Sequence, residues 1–326
     1  MGEAKTGWVK RVGVIGAGLM GHGIAQTFAA AGLEVNLTDT VPEVLERAPA
    51  RIKNNLNLMA EAGRLSGGQI PEIMGRLNLK TDLASAVKEV DFVSESISEN
   101  LKSKQELFEA LDSLCPPRTI LGTNTSSLPL SQVAARIKRR DKLITTHHLN
   151  PPHIIPLVEI MRGEETSEDT FQSTITLMRR CGWVPVVLKK EVPGYIINRL
   201  LTALFREAIS LVQDGVAEAE DVDLAVKAGI GLRMPIMGLL EVADLAGLDL
   251  LEVMLRNLSP LVNSQPIPPA LISEKVRRNE LGGKTGKGFY DWHRRSLPDF
   301  IRWRDQNLHR LRLAFWDGKK ETAGNP

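Results

Sequence analysis

The sequence predicts an α/β fold: a Rossmann-type, mostly parallel sheet domain followed by an all-helical C-terminal domain. Three observations predict it. Short β-branched runs alternate with longer helical patterns up to about residue 190, a glycine triplet follows the first run, and the periodicity turns purely helical after Pro193-Gly194. Strand–helix alternation implies parallel strands joined by right-handed crossovers.

Taken in order, residues 12–15, 34–38, 90–94, 119–122, 143–147, 157–161 and 184–188 read as strands. The early ones are unbroken apolar runs, as expected of parallel strands covered on both faces. Helical spacing fills residues 21–31, 44–60, 102–114 and 168–180. The mostly polar stretch 42–76 reads as a helical insertion projecting from the sheet. Farther on, Ile197, Leu200, Leu201, Leu204, Ala208 and Val212 recur at helical spacing and stop at Gly215. Further helices are expected at 219–228, 236–246 and 249–261. The division is therefore residues 1–191, a dinucleotide-binding domain, and residues 192–326, a helical substrate-binding and dimerisation domain.

The 326 residues are 43% hydrophobic and 25% charged, and the net charge is +2. That near-balance offers no concentrated basic face, so no nucleic-acid partner is expected. No run approaches the ~18 apolar residues of a membrane span, and residues 1–10 lack the apolar core of a signal peptide. A cytoplasmic protein is expected. Cys115 and Cys181 stand far apart in no metal-ligand pattern, which suits buried free thiols in a reducing compartment.

Gly16-Ala17-Gly18-Leu19-Met20-Gly21 leaves a strand and enters a helix, the context in which such a triplet is informative. The first glycine permits a tight turn, the second clears room for a pyrophosphate, and the third lets helix and strand approach. Amides at the helix start, with its dipole, then face the phosphates. Asp39, 18 residues beyond Gly21, ends the second strand. A carboxylate there accepts from ribose hydroxyls and repels a 2′-phosphate, which favours NAD over NADP. FAD proteins share the turn and are not excluded by it.

The segment Thr146-His147-His148-Leu149-Asn150-Pro151-Pro152-His153 holds three of the six histidines. Neighbours on a strand point to opposite faces, so His147 and His148 do not chelate one ion, and no metal is expected. One histidine at a strand end suits alcohol oxidation, in which a hydroxyl proton must leave with the hydride. Such a base works with a carboxylate on its other nitrogen. Glu159 is a charge inside the apolar run Ile154 to Ile160, and buried charges are rare unless paired.

These motifs, with Glu99-Asn100-Leu101-Lys102, Asn124-Thr125-Ser126-Ser127-Leu128, Leu157-Val158-Glu159, Pro193-Gly194-Tyr195-Ile196-Ile197-Asn198-Arg199 and Gly286-Lys287-Gly288-Phe289-Tyr290, resemble the L-3-hydroxyacyl-CoA dehydrogenase family. The resemblance includes its free-acid branch of λ-crystallin/L-gulonate 3-dehydrogenase and carnitine dehydrogenase, and it covers about residues 10–315. It implies His147 as the catalytic base and Glu159 as its acid partner. It also implies Ser126 and Asn198 on the reacting oxygen, and Glu99 and Lys104 toward the nicotinamide end of an NAD site that also includes Gly16, Gly18, Leu19, Met20, Gly21, Asp39 and Asn124. Asn150 supports the histidine loop, and a homodimer is expected.

The substrate is a small molecule of one of two classes. Pro156, Gly229-Ile230-Gly231-Leu232-Arg233 and Arg302-Trp303-Arg304-Asp305 lean toward a free 3-hydroxy acid, with Arg233 able to fork a carboxylate. Met20-Gly21-His22-Gly23 and Glu241-Val242-Ala243-Asp244 lean toward an acyl-CoA, whose phosphates Lys53 and Arg64 could meet. Two readings lie outside this choice: an NAD-binding protein without turnover, and a two-domain dehydrogenase that uses a lysine of its helical domain.

Overall fold

The computed structural model describes residues 8–317. Most of the polar segment 1–10 and the last residues of the second expected domain lie outside the described residues. Eight strands, β1 (Arg11–Ile15), β2 (Glu34–Thr38), β3 (Leu77–Lys80), β4 (Phe92–Glu95), β5 (Ile120–Thr123), β6 (Leu143–His148), β7 (Leu157–Arg162) and β8 (Val184–Leu188), form one sheet. Their order is β3-β2-β1-β4-β5-β6-β7-β8. All neighbours pair in parallel except β6 and β7, which are antiparallel. The sheet is therefore mostly parallel, as expected, and its strand order reverses between β1 and β4. Crevices beyond the carboxyl ends of strands at such a reversal are where α/β sheets take ligands.

The helices of the sheet region are α1 (Gly21–Ala30), α2 (Pro42–Glu61), α3 (Ile70–Gly75), α4 (Leu83–Val87), α5 (Leu101–Leu114), α6 (Leu130–Val133) and α7 (Glu168–Arg180). After the sheet come α8 (Ile197–Gln213), α9 (Ala219–Ala228), α10 (Ile230–Arg233), α11 (Leu239–Ala246), α12 (Leu248–Leu258), α13 (Ala270–Arg277) and α14 (Leu297–Phe315). The insertion does not project. Leu45, Ala48, Ile52 and Leu56 of α2 and Ile70 and Ile73 of α3 are buried in one core cluster with Ile24 and Phe28 of α1. Their narrow stripe is diluted by polar neighbours in a 20-residue helix, which is why composition suggested an outlier. Strand β3 was not expected either. It is a four-residue edge strand with no buried residue, too short and too polar to stand out.

Two compact units divide the chain: residues up to Ile196 together with those from Arg304 onward, and Ile197–Trp303. The sequence placed everything after residue 191 in one domain, whereas the second half of α14 belongs to the first unit. Buried cations are the physical reason. Arg312 donates to the carbonyls of Ile154 at 2.8 Å and Gly182 at 2.6 Å. Arg64 pairs with Asp317 and donates to His309 Nδ1. Both arginine side chains are only 5% exposed. Guanidinium groups this deep are tolerated only when fully paired, so the end of α14 is fixed where those partners lie.

Candidate active site

The glycine turn follows β1 at the strand-order reversal. Gly16 has φ +97°, and a Cβ on it would stand 2.5 Å from the Ser96 carbonyl oxygen beyond β4. A Cβ on Gly21 would lie 1.7 Å from the Gly16 oxygen, so the start of α1 packs directly on the turn. Around Gly18 a Cβ would meet nothing within 4 Å; this is the open side of the cradle. Met20, the N-cap of α1, supplies no side-chain cap, and Leu19 is exposed. Uncapped amides facing an open glycine turn make an anion site. These residues fit the pyrophosphate of a dinucleotide.

Asp39 does more at this turn than the sequence suggested. Its Oδ2 accepts the Ala17 amide at 2.7 Å and its Oδ1 the Val41 amide at 2.9 Å. The carboxylate thus braces the turn, and the remaining lone pairs of its two oxygens can take ribose hydroxyls. Two neighbours were missed. His22 Nδ1 donates to the Gly18 carbonyl at 2.7 Å, and burial pushes this imidazole down to about 4. Arg51 of α2 reaches the same carbonyl at 3.4 Å and has no carboxylate partner among the described residues.

At the carboxyl ends of β4 and β5 lies a second polar cluster. Glu99 Oε1 accepts the Thr125 hydroxyl at 2.6 Å, the Ser126 and Ser127 amides at 2.9 Å, and both serine hydroxyls. Burial alone would raise the Glu99 carboxyl, but the Thr125 hydroxyl, the Lys104 ammonium and the Ser126 and Ser127 donors outweigh it. They hold the carboxyl at about 2. Lys104 is buried beneath this loop, 2.6 Å from Glu95 and 3.5 Å from Glu99. It faces these carboxylates rather than the surface. Glu95, fully buried, also accepts the Thr123 hydroxyl at 2.6 Å and the Ile97 amide at 2.8 Å. It is a charge in an apolar strand, the same signal that marked Glu159, and the sequence reading passed over it. Asn124 Oδ1 accepts the His148 amide at 2.8 Å and so ties the end of β5 to β6.

The histidine pair follows from strand register. In the antiparallel β6–β7 ladder His147 stands opposite Glu159, and opposed residues share a face. His147 Nδ1 lies 2.8 Å from Glu159 Oε2, and both side chains are buried. Oxygen Oε1 of Glu159 accepts the Ile196 amide at 2.8 Å. The Nε2 of His147 has no hydrogen-bond partner among the described residues. His148 turns to the other face, 4.4 Å from the Trp183 ring, and burial pushes it down to about 3. No group of three His, Cys, Asp or Glu among the described residues is placed to hold a metal ion. Asn150 is exposed just beyond β6, while Asn198 in α8 and exposed Arg233 in α10 belong to the second unit.

Residues 11–192 match the NAD-binding domain of 3-hydroxyacyl-CoA dehydrogenase, and residues 194–292 match its C-terminal domain. The chain belongs to the 3-hydroxyacyl-CoA dehydrogenase family. Among curated relatives, a probable 3-hydroxybutyryl-CoA dehydrogenase of Bacillus subtilis is 39% identical over 88% of this chain and 99% of that protein. Two crystal structures resemble it closely. One is a 5-formyl-3-hydroxy-2-methylpyridine 4-carboxylic acid 5-dehydrogenase, described as an NAD+-dependent dismutase, with TM-score 0.87, 31% identity and coverage of 96% and 100% of the two chains. The other is the (S)-3-hydroxybutyryl-CoA dehydrogenase of Ralstonia eutropha, with TM-score 0.70, 31% identity and coverage of 87% and 99%. This family member is an NAD-dependent oxidoreductase acting on a small-molecule substrate. Among the described residues no helix is long and apolar enough to cross a membrane.

Proposed function

We propose that this dehydrogenase oxidises the 3-hydroxyl of a small 3-hydroxy acid to the 3-keto product, with His147 as general base. The observation that carries the reading is the buried His147–Glu159 pair at 2.8 Å. A carboxylate on Nδ1 fixes the tautomer that leaves Nε2 as the acceptor and stabilises the imidazolium that forms. Nε2 takes the hydroxyl proton, and in reverse returns it to the 3-keto oxygen. NAD, when bound on the glycine turn, supplies the two-electron acceptor for the hydrogen leaving C3. Ser126, whose hydroxyl stands 3.2 Å from Glu99 Oε1, is the proposed first polar contact, its proton turning from Glu99 to the reacting oxygen when substrate binds. Asn198 is the proposed second polar contact to the reacting oxygen.

Arg64 supports the free-acid class. It is consumed by Asp317 and His309, Arg76 pairs with Glu72, and Arg51 is held on the Gly18 carbonyl. Of the five cations between residues 42 and 76, Arg64 and Arg76 are thus withdrawn from the phosphates of CoA, while Arg47, Arg51 and Lys53 have no carboxylate partner among the described residues. The family's C-terminal domain matches only to residue 292, short of α14, which withdraws Arg64. The structure of the pyridine-carboxylate enzyme covers 96% of this chain, against 87% for the Ralstonia CoA enzyme. Arg233 is the proposed carboxylate fork. The acyl-CoA alternative rests on the 39% identity to the Bacillus protein and on exposed Lys53.

NADH formation with 3-hydroxybutyryl-CoA, L-gulonate, L-carnitine and free 3-hydroxybutyrate, assayed side by side, tests both levels. A free acid is expected to give the highest kcat/KM, and preference for the thioester would reverse the substrate assignment. His147→Gln is expected to lower kcat at least about a hundredfold, the usual scale of acid–base catalysis, with NAD affinity nearly unchanged. The exposed apolar surface of the second unit, including Leu240 at 83% and Leu261 at 78%, supports self-association as a homodimer.

A further inference from the structure

The geometry points to Tyr195 as a positioning residue for the His147–Glu159 pair, an inference that rests on the proposed role of that pair. Tyr195 has φ +50°, and the only other left-handed non-glycine among the described residues is Asn279. Asparagine visits this region readily, whereas a bulky side chain there is an outlier that persists only where its surroundings hold it. The preceding Gly194 is left-handed as well, at φ +78°, so two consecutive residues turn the chain back toward β6 and β7.

That turn has two products. The Tyr195 ring, 2% exposed, is brought to 5.1 Å from the His147 ring, with the planes inclined at 43°. The next amide, Ile196 N–H, is delivered to Glu159 Oε1 at 2.8 Å while Oε2 serves His147. One dipeptide therefore touches both members of the pair, the imidazole by its ring and the carboxylate by its backbone. The ring blocks rotation of His147 away from Glu159 and sheds water from one imidazole face. The amide fixes the carboxylate rotamer that points Oε2 at Nδ1.

The tyrosine hydroxyl is not what the site uses. It is buried toward Thr145 without closing a hydrogen bond, and burial pushes it well above the ordinary phenol range. The parts of Tyr195 that serve the pair are its ring, against His147, and its backbone angle, which delivers the next amide to Glu159. Sequence periodicity carries no sign of this, because Tyr195 precedes the first turn of α8. The chain passes into the second compact unit directly after Ile196.

Three variants and one spectrum separate this role from general packing. Tyr195→Phe keeps the ring and should retain kcat within about twofold. Tyr195→Gly keeps the left-handed backbone without the ring, and Tyr195→Val resists that backbone as well. Their kcat should fall about tenfold and about a hundredfold, the scale of lost positioning, with KM and NAD affinity within about twofold. In the enzyme without cofactor, the downfield proton resonance of the His147–Glu159 hydrogen bond should persist in Tyr195→Phe, broaden in Tyr195→Gly and vanish in Tyr195→Val. Wild-type turnover and an intact resonance in Tyr195→Gly would overturn the inference, as would a fall in Tyr195→Phe equal to that in Tyr195→Gly. If Tyr195→Val does not fold, the Phe and Gly variants decide the question. His147→Gln, measured alongside, keeps the two levels apart. High turnover in that variant removes the proposed function, whereas its inactivity with a normal Tyr195→Gly removes only the positioning role.

Discussion

The two compact units are built on opposite terms. In the first, two clusters of buried side chains line the sheet, with Ile24, Phe28, Leu37, Phe92, Phe108 and Leu121 all at 0% exposure. In the second, Ser210 is the only buried residue among the described residues 197–303, while Leu232, Leu240 and Leu245 are 74%, 83% and 75% exposed. Both sequences are comparably apolar, so hydrophobicity does not separate them. What separates them is whether a second layer is at hand. A sheet flanked by helices closes its own core, whereas short helices such as the eight-residue α11 each cover little of their neighbours. Burying one large aliphatic or aromatic side chain stabilises by about 1.5–3 kcal/mol, so a unit that exposes many of them gains most from a partner surface. The polar chemistry follows the same division. The His147–Glu159 and Lys104–Glu95 pairs lie in the unit that has an interior to bury them.

The largest expected effect tests the first half of the comparison. Phe28→Ala, in contact distance of Phe92 and Trp183, should cost about 3–5 kcal/mol in urea unfolding of the first unit. A loss under 1 kcal/mol would mean that this core is looser than its burial indicates.

Acid should next attack the same unit. His22 and His309 are pushed down to about 4 and His148 and His153 to about 3, in each case chiefly by burial. Their folded values lie below the unfolded 6.5, so between those limits the unfolded chain binds more protons. The stability these groups contribute is whole above pH 6.5 and declines as pH falls toward 4. Urea midpoints at pH 7 and pH 5 should differ, and His148→Leu should narrow the difference. An unchanged gap would sink the claim for His148.

A smaller effect belongs to the cofactor turn. Asp39→Ala should weaken NAD about tenfold, roughly the worth of one or two hydrogen bonds, and NADP less, measured by fluorescence titration. Equal weakening of both would mean that Asp39 serves only to brace Ala17. The smallest folding effect is expected in the second unit. Leu240→Ala should alter the stability of the monomer by less than about 0.5 kcal/mol, as surface changes do. If the proposed homodimer forms through this surface, Leu240→Glu should nevertheless shift the light-scattering mass from dimer toward monomer, and an unchanged mass would remove Leu240 from the interface.

Local sequence determined the sheet strands other than β3, the glycine turn and the candidate pair His147 and Glu159. Strand periodicity, the steric demands of a turn and the cost of an unpaired buried charge all act within a few residues and are written there. Beyond that pair, tertiary structure decided which charges meet. Lys104 of α5 meets Glu95 of β4, and Arg64 is spent on Asp317, 253 positions away. The end of α14 returns to the first unit because Arg312 finds the carbonyls of Ile154 and Gly182. Tyr195 lies outside the strand and helix patterns, and its part is legible only from its backbone angle. Pairings across such separations depend on which strands reverse and which helices cross, and a linear pattern carries no record of either.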